Sequence, residues 1–279
     1  MARKLRVQFE GAIYHVTIRG VGRRNLFDDD NDRARFLEQI QDAVETDRVR
    51  LYLFCLMTNH VHLLVETPGG NLSRFMQRLQ TAYTVYFNLR HRRSGHLMQG
   101  RYGAVLVEGD EYLLRLSRYV HLNPVHVGDF RKQSVKLRIK QLRGYRWSTY
   151  LSYIGRIPRL EYVVYDPVLV MLDGRRWRAE RAYRRYVETG LVETDEELKE
   201  LKATARHGIG SDEFRARVRD LYQDMLQARK RREDVAFRGQ EGRLSPELVL
   251  KETAQALGRT EAAIVRRTKN DLGRALLAR

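Results

Sequence analysis

Two histidines one residue apart, His60 and His62, stand inside a long apolar run at 51–66, LYLFCLMTNHVHLLVE. In an extended strand Val61 turns both imidazoles to the same face. Two imidazoles side by side can hold one divalent metal ion, or they can be two packed or surface histidines. So apolar a strand buries its interior, and two polar rings placed there need partners. A later stretch supplies partner chemistry. Tyr119 and Asn123 are four residues apart, one turn above the other on a helix. Leu113, Leu116 and Val120 give that helix a separate packing stripe, so Tyr119 need not be core. The side-chain carbonyl of Asn123 would add one oxygen to two imidazole nitrogens. That open, mixed donor set suits Mg²⁺ or Mn²⁺ better than structural zinc. A tyrosine hydroxyl beside such an ion is a candidate nucleophile. Its ordinary pKa of about 10 means that it needs activation by metal, base or water. Attack on a phosphodiester would leave a phosphotyrosyl enzyme and a free hydroxyl. A second hydroxyl could rejoin the strand without ATP, and no GxxxxGK[ST] phosphate loop occurs in the chain.

The composition names a partner for that chemistry. Lysine and arginine total 52 against 35 acidic residues in 279, a net charge of +17. The isoelectric point is near 10.2. Such an excess predicts a polyanionic partner, with nucleic acid ahead of a membrane surface. No run approaches the roughly 18 apolar residues of a spanning helix, and MARKLRVQFEG lacks the apolar region of a signal peptide. The single cysteine, Cys55, excludes an intramolecular disulfide and reads as a small buried hydrophobe. A cytoplasmic location is expected.

The elements that must position these residues follow in order. Residues 12–19 alternate as a strand ended by Gly20-Val-Gly22. The acidic cluster at 28–32 suits the start of a helix, as a solvated cap in preference to a metal site. Phe36, Leu37, Ile40 and Val44 place that helix from 32 to about 47. Strands at 50–57 and 60–66, joined by Thr58-Asn59, form an antiparallel hairpin, central or near-central in the sheet. A second helix runs from 72 to about 90, with Arg74 and Arg78 on its polar face. A fourth strand lies within 97–107, with Arg101 and Tyr102 near its start. Asp110 caps a third helix from 111 to about 123, stopped by Pro124. Strand, helix, strand, strand, helix, strand, helix is the pattern of a ferredoxin-like α+β domain with an antiparallel sheet and one added helix. After residue 150 the chain turns basic and helical, at 174–190, 195–206 and 211–232. A linker at 233–244 leads to a small helical unit in which Ala254, Gly258 and Ile264 fit a helix-turn-helix. A helical hairpin without a DNA role explains that spacing nearly as well. The division expected is therefore 1–155, 156–244 and 245–279.

Five stretches taken together are more specific than any of these patterns: Tyr14-His-Val-Thr-Ile-Arg-Gly20, Met57-Thr-Asn-His-Val-His-Leu-Leu64, Gln99-Gly-Arg-Tyr102, Arg118-Tyr-Val-His-Leu-Asn-Pro-Val125 and Tyr145-Arg-Trp-Ser-Thr-Tyr150. The set resembles the HUH-type single-tyrosine transposases of the IS200/IS605 kind, and within them the REP-associated tyrosine transposases. The resemblance implies a metal pair at His60 and His62, a nucleophile at Tyr119 and a third ligand at Asn123. It implies a single-stranded or hairpin DNA substrate cut beside a palindromic repeat, with the 5′ phosphate kept on tyrosine. Insertion-sequence relatives are dimers, so a monomer or a homodimer is expected. Thr58 departs from a frequent proline, and His126-Val127 from a frequent Arg-Ala, which changes the expected DNA contacts. His121, two residues from Tyr119, points to another face and is not expected to be a ligand. DNA contacts are expected from Arg101, Arg74 and Arg78, and from Arg259, Arg266 and Arg267 in the last unit. Two other classes compete: a DNA-binding regulator that no longer cuts, and a metallonuclease that uses water without a covalent step.

Overall fold

The computed structural model describes residues 6–109, 111–192 and 208–228, together with 254 and 260. Residues Arg6–Leu221 cluster as one compact unit, to which the following applies; the chain from Tyr222 onward, with Met1–Leu5, clusters separately.

The alternating stretch at the start forms β1, Ala12–Arg19, with Ala12, Tyr14, Val16 and Ile18 buried. Strands β2, Arg50–Leu56, and β3, His60–Thr67, make the expected hairpin. With β4, Gly103–Val107, the sheet order is β2–β3–β1–β4, and these pairings are all antiparallel. This is the ferredoxin-like order, with the first and third strands in the middle. The fold departs from the expected pattern in three places. A two-residue strand β5, Gly208–Ile209, adds parallel to β4, so the sheet is five-stranded and mixed. Two residues carry no periodicity by which a strand could be read. Strand β4 begins at Gly103, so Arg101 and Tyr102 precede it. And β2 lies at the end of the sheet, not within it.

The apolar character of β2 has another cause. Its open edge is covered by the chain beyond the third helix. Leu56 N–H donates to Trp147 O at 2.9 Å, Thr149 N–H to Phe54 O at 3.1 Å and Val164 N–H to Leu51 O at 2.8 Å. An edge closed in this way is buried and satisfied like a central strand. Cys55 is fully buried there, and burial pushes its thiol pKa up.

Helices α1, Asp30–Asp47, and α2, Leu72–Arg90, pair with each other. Their buried Phe36, Ile40, Phe75, Leu79 and Tyr83 join one core with Tyr14, Val16 and Ile18 of the sheet. Helix α1 starts as its acidic stretch requires. Asp29 and Asp32 form a reciprocal capping box.

Helix α3, Glu111–His126, contacts β2 and runs straight through Pro124, three residues beyond its expected end. Proline has no N–H to offer the carbonyl of Val120. The side-chain amide of Asn123 takes over, donating to Tyr119 O at 2.9 Å and Val120 O at 3.4 Å. Asp110, expected to cap this helix, lies outside the described residues. Then come α4, Val135–Gly144, two single turns α5, Tyr150–Tyr153, and α6, Asp166–Leu169, and α7, Arg176–Thr189. Packing continues across residue 155, since α7 contacts α3 and α5. The next described helix, α8, is Asp212–Ala228. The expected helix at 195–206, the linker at 233–244 and the helix-turn-helix lie outside the described residues, apart from Ala254 and Thr260.

Candidate active site

Antiparallel register decides which side chains meet. Arg19 lies opposite His60, Thr17 opposite His62 and His15 opposite Leu64. Directly opposed residues share a face, so His15, Thr17 and Arg19 join His60 and His62 on one side of the sheet. The two imidazoles expected to be neighbours are so, with ring centroids 5.0 Å apart. Helix α3 brings Tyr119 onto the same group, 5.8 Å from His62 and 6.1 Å from His15, edge to face in both cases. Histidines far before the tyrosine in the chain thus become its immediate neighbours.

The opposite side of α3 is held by a buried hydrogen-bond relay. His121, fully buried, lies 2.6 Å from Tyr183 Oη through Nδ1 and 2.8 Å from Thr149 Oγ1 through Nε2. Tyr183 Oη donates on to Ser117 Oγ at 3.0 Å, and Ser117 to Leu114 O at 2.7 Å. With Tyr183 and Ser117 donating forward, His121 donates from Nδ1 and accepts Thr149 at Nε2, as a neutral ring does. Burial pushes its pKa down to about 3. His121 is a fastener of α3, directed away from the sheet histidines as its spacing predicted.

His60 and His62 can each turn a lone-pair nitrogen toward a divalent ion. His60 Nδ1 lies 2.7 Å from Asn59 Oδ1. An amide oxygen only accepts, so Nδ1 carries the proton and Nε2 the lone pair. Burial, with the charge of Arg19 adding to it, pushes the His60 pKa down to about 4, so the ring is neutral at pH 7. His62 Nδ1 lies 2.9 Å from His15 Nε2, and the two rings stack at 14°. With His62 donating from Nδ1, its Nε2 also becomes a lone-pair nitrogen. Neutral imidazoles, each oriented through the other ring nitrogen by an outer partner, are what metal-binding histidines require. The residues fit the ion. Asn123 is buried one turn past Tyr119 with its amide nitrogen turned onto the helix backbone, so Oδ1 is the atom it could offer.

His15, Arg19 and Asn59 were not singled out from the sequence. His15 and Arg19 lie two residues either side of Thr17, but their place beside the pair depends on which strand lies alongside β3 and in what register. Asn59 depends on turn geometry that spacing does not encode.

The arginines expected to contact DNA divide. Arg74 and Arg78 clasp the buried carboxylate of Asp47, Nε to oxygen at 2.7 and 2.9 Å. Both remain largely exposed otherwise. Arg101 is exposed in the segment before β4. Arg259, Arg266 and Arg267 lie outside the described residues. Elsewhere Asp28, Asp32 and His91 bring ligand-type atoms within 4.8 Å. The oxygens of Asp32 are already engaged by the N–H of Asp28 at 2.9 Å, by His91 at 3.0 Å and by Arg90. That cluster ties the end of α2 to the start of α1. The acidic stretch acts as the cap expected of it, though with Asp32 buried and not solvated.

Residues 8–123 match the model of the family described as Transposase IS200 like. The match contains all four residues singled out for chemistry. A solved structure of a REP-associated tyrosine transposase bound to a REP hairpin is similar at 15% identity, with a TM-score of 0.47, over 60% of this chain and 93% of that one. No curated protein matches the sequence. Among the described residues no helix is long and apolar enough to cross a membrane.

Proposed function

We propose that the chain is a metal-dependent single-stranded DNA endonuclease and strand transferase, acting at palindromic repeats through a 5′-phosphotyrosine. The observation that carries this reading is the meeting of Tyr119 with two histidines held by outer partners on one sheet face, 5.8 Å from His62. His60 and His62 would hold Mg²⁺ or Mn²⁺ through Nε2, with Oδ1 of Asn123 as the third ligand. A bound ion supplies charge neutralisation at the scissile phosphate. The protein does the rest. His15 and Asn59 fix the ring orientations. Tyr119 Oη attacks phosphorus, the bond from phosphorus to the 3′ oxygen breaks, and the tyrosine proton passes through water to the leaving oxygen. The phosphodiester is conserved as a phosphotyrosine, which a second 3′ hydroxyl attacks in the reverse sense. Arg101, Arg74 and Arg78, and Arg259, Arg266 and Arg267 beyond, would take phosphates along the strand, consistent with a net charge of +17. Residues 1–155 would carry the chemistry, with 156–244 and 245–279 adding affinity. The work would be done in the cytoplasm by a monomer or a homodimer.

The test is a denaturing gel of the protein mixed with end-labelled single-stranded DNA from the gene's own flanks, with Mn²⁺ or with chelator. Label should travel with the protein only when Mn²⁺ is present. Cut but unattached DNA indicates a water-using nuclease, and bound but intact DNA a regulator.

A further inference from the structure

Beside His60 the loop after β1 and the turn between β2 and β3 are fastened together. Gly20 N–H donates to Asn59 O at 3.0 Å and Leu26 N–H to Thr58 O at 2.9 Å. Asn59 Nδ2 donates to Arg23 O at 3.3 Å. The loop is tightly wound: a Cβ on Gly20 would lie 2.0 Å from Arg24 O. Gly22 and Arg23 are both left-handed, at φ 59° and 61°. An arginine held in that conformation costs free energy, and such residues concentrate at functional sites. The two segments, with Val127, line an open cavity of about 550 Å³, to which they contribute Arg19, Arg23, Asn25, Met57, Thr58, Asn59 and His60. That volume is within the range of small-molecule sites, about 300–1,000 Å³. No carboxylate lines it among the described residues. Two guanidiniums, two amides, a hydroxyl and a thioether match the phosphate, edge and face of one nucleotide.

Building on the phosphotyrosine reading above, we propose that this cavity receives the nucleotide on the leaving side of the scissile phosphate and sets the base preferred there. The side follows from the layout of the sheet face. Tyr119 sits against His15 and His62, whereas the cavity opens at His60 and Arg19, further along β1. In an in-line displacement the leaving oxygen departs opposite the attacking one. A phosphate attacked from the Tyr119 end therefore directs its 3′ oxygen, and the nucleotide bearing it, toward Arg19. Arg19 and Arg23 take the phosphates, Met57 packs on the base, and Asn25 and Thr58 read its edge.

Two measurements test this. In the first, short single-stranded DNA of random sequence carries a photoreactive thymidine analogue at its 3′ end, beside a free 3′ hydroxyl, or at its 5′ end. After irradiation with the full-length protein, the 3′ probe should cross-link to peptides covering 19–25 or 57–60, and the 5′ probe should not. Equal labelling from both ends, or 3′ labelling elsewhere, overturns the proposal. In the second, a randomised substrate is cleaved and both new ends are sequenced. Asn25→Ala should flatten the base preference of the released 3′ end by about tenfold, leaving the tyrosine-linked end as in wild type. A loss on the linked side, or no change, overturns it. The cross-link needs no cutting. Correct cross-linking without phosphotyrosine would therefore sink the reaction and spare the cavity. Phosphotyrosine with unaltered preference and no 3′ cross-link would do the reverse.

Discussion

Metal-binding histidines are neutral rings with the right nitrogen outward, and the neighbours of His60 supply both conditions. Burial and Arg19 keep His60 neutral at pH 7, and Asn59 turns its Nε2 outward. His15 does the turning for His62. A ligand that binds only the native state must stabilise it, by about 2.7 kcal/mol at a hundredfold excess over Kd. Mn²⁺ should therefore raise the melting temperature of wild type and leave that of His60→Ala or His62→Ala unmoved. His15→Ala removes an orienting partner and not a ligand, so Mn²⁺ affinity should fall by about 10- to 100-fold, and His15→Gln should recover part of it. Unchanged Mn²⁺ affinity in His15→Ala would remove His15 from the site. The pair at 60 and 62 was legible in the sequence because a spacing of two is a statement about one strand. His15 was not, because its place depends on which strand lies alongside.

Among the elements, α3 carries Tyr119 and is fixed at two points. The first is Asn123, which bridges the carbonyls left short by Pro124. Asn123→Ala should lower stability in the absence of metal by about 1 kcal/mol, the usual value of one hydrogen bond, as well as weakening Mn²⁺ binding. A residue acting as a ligand alone would leave the metal-free melt unchanged. The second point is His121. Its folded pKa of about 3 lies below the ordinary value of 6.5. The unfolded chain therefore binds the extra proton first as pH falls. Stability is full above about pH 6.5 and declines toward pH 3, at up to about 1.4 kcal/mol per pH unit for each such histidine. His60 adds a decline of the same sign over a shorter window, from about 6.5 to 4. Urea melts at pH 7.5 and pH 5 should show His121→Gln losing less stability between them than wild type; an equal loss would contradict the assignment. Most element boundaries were legible, since periodicity and capping are local. The failures share a cause. The helix through Pro124, the covered edge of β2 and the two-residue β5 are each made by partners that local periodicity does not report.

At the scale of the whole molecule, the net charge of +17 announced a polyanion without saying which arginines meet it. Composition cannot tell Arg74 and Arg78, which clasp Asp47, from an arginine with no acidic partner. All four residues proposed for the chemistry lie before residue 125. A chain truncated near Glu241 should thus still form the covalent adduct at saturating DNA. It should bind with a smaller salt dependence, the slope of log K against log salt falling by about 0.7 for each phosphate of a single strand that the shortened chain leaves unneutralised. A folded truncation that forms no adduct would show that the C-terminal region takes part in the chemistry.

In the proposed reaction one oxygen, on Tyr119, becomes bonded to DNA. Tyr119→Phe removes that oxygen and keeps the ring, so packing is nearly preserved. Tyr112, seven residues earlier on α3 and along the same stripe, is the internal control. Each protein is mixed with end-labelled single-stranded DNA and Mn²⁺ and run on a denaturing gel. Wild type and Tyr112→Phe should carry the label. Tyr119→Phe should carry none, while its Mn²⁺ and DNA binding stay close to wild type. Label on Tyr119→Phe would contradict the account, most directly if Tyr112→Phe were the variant without it.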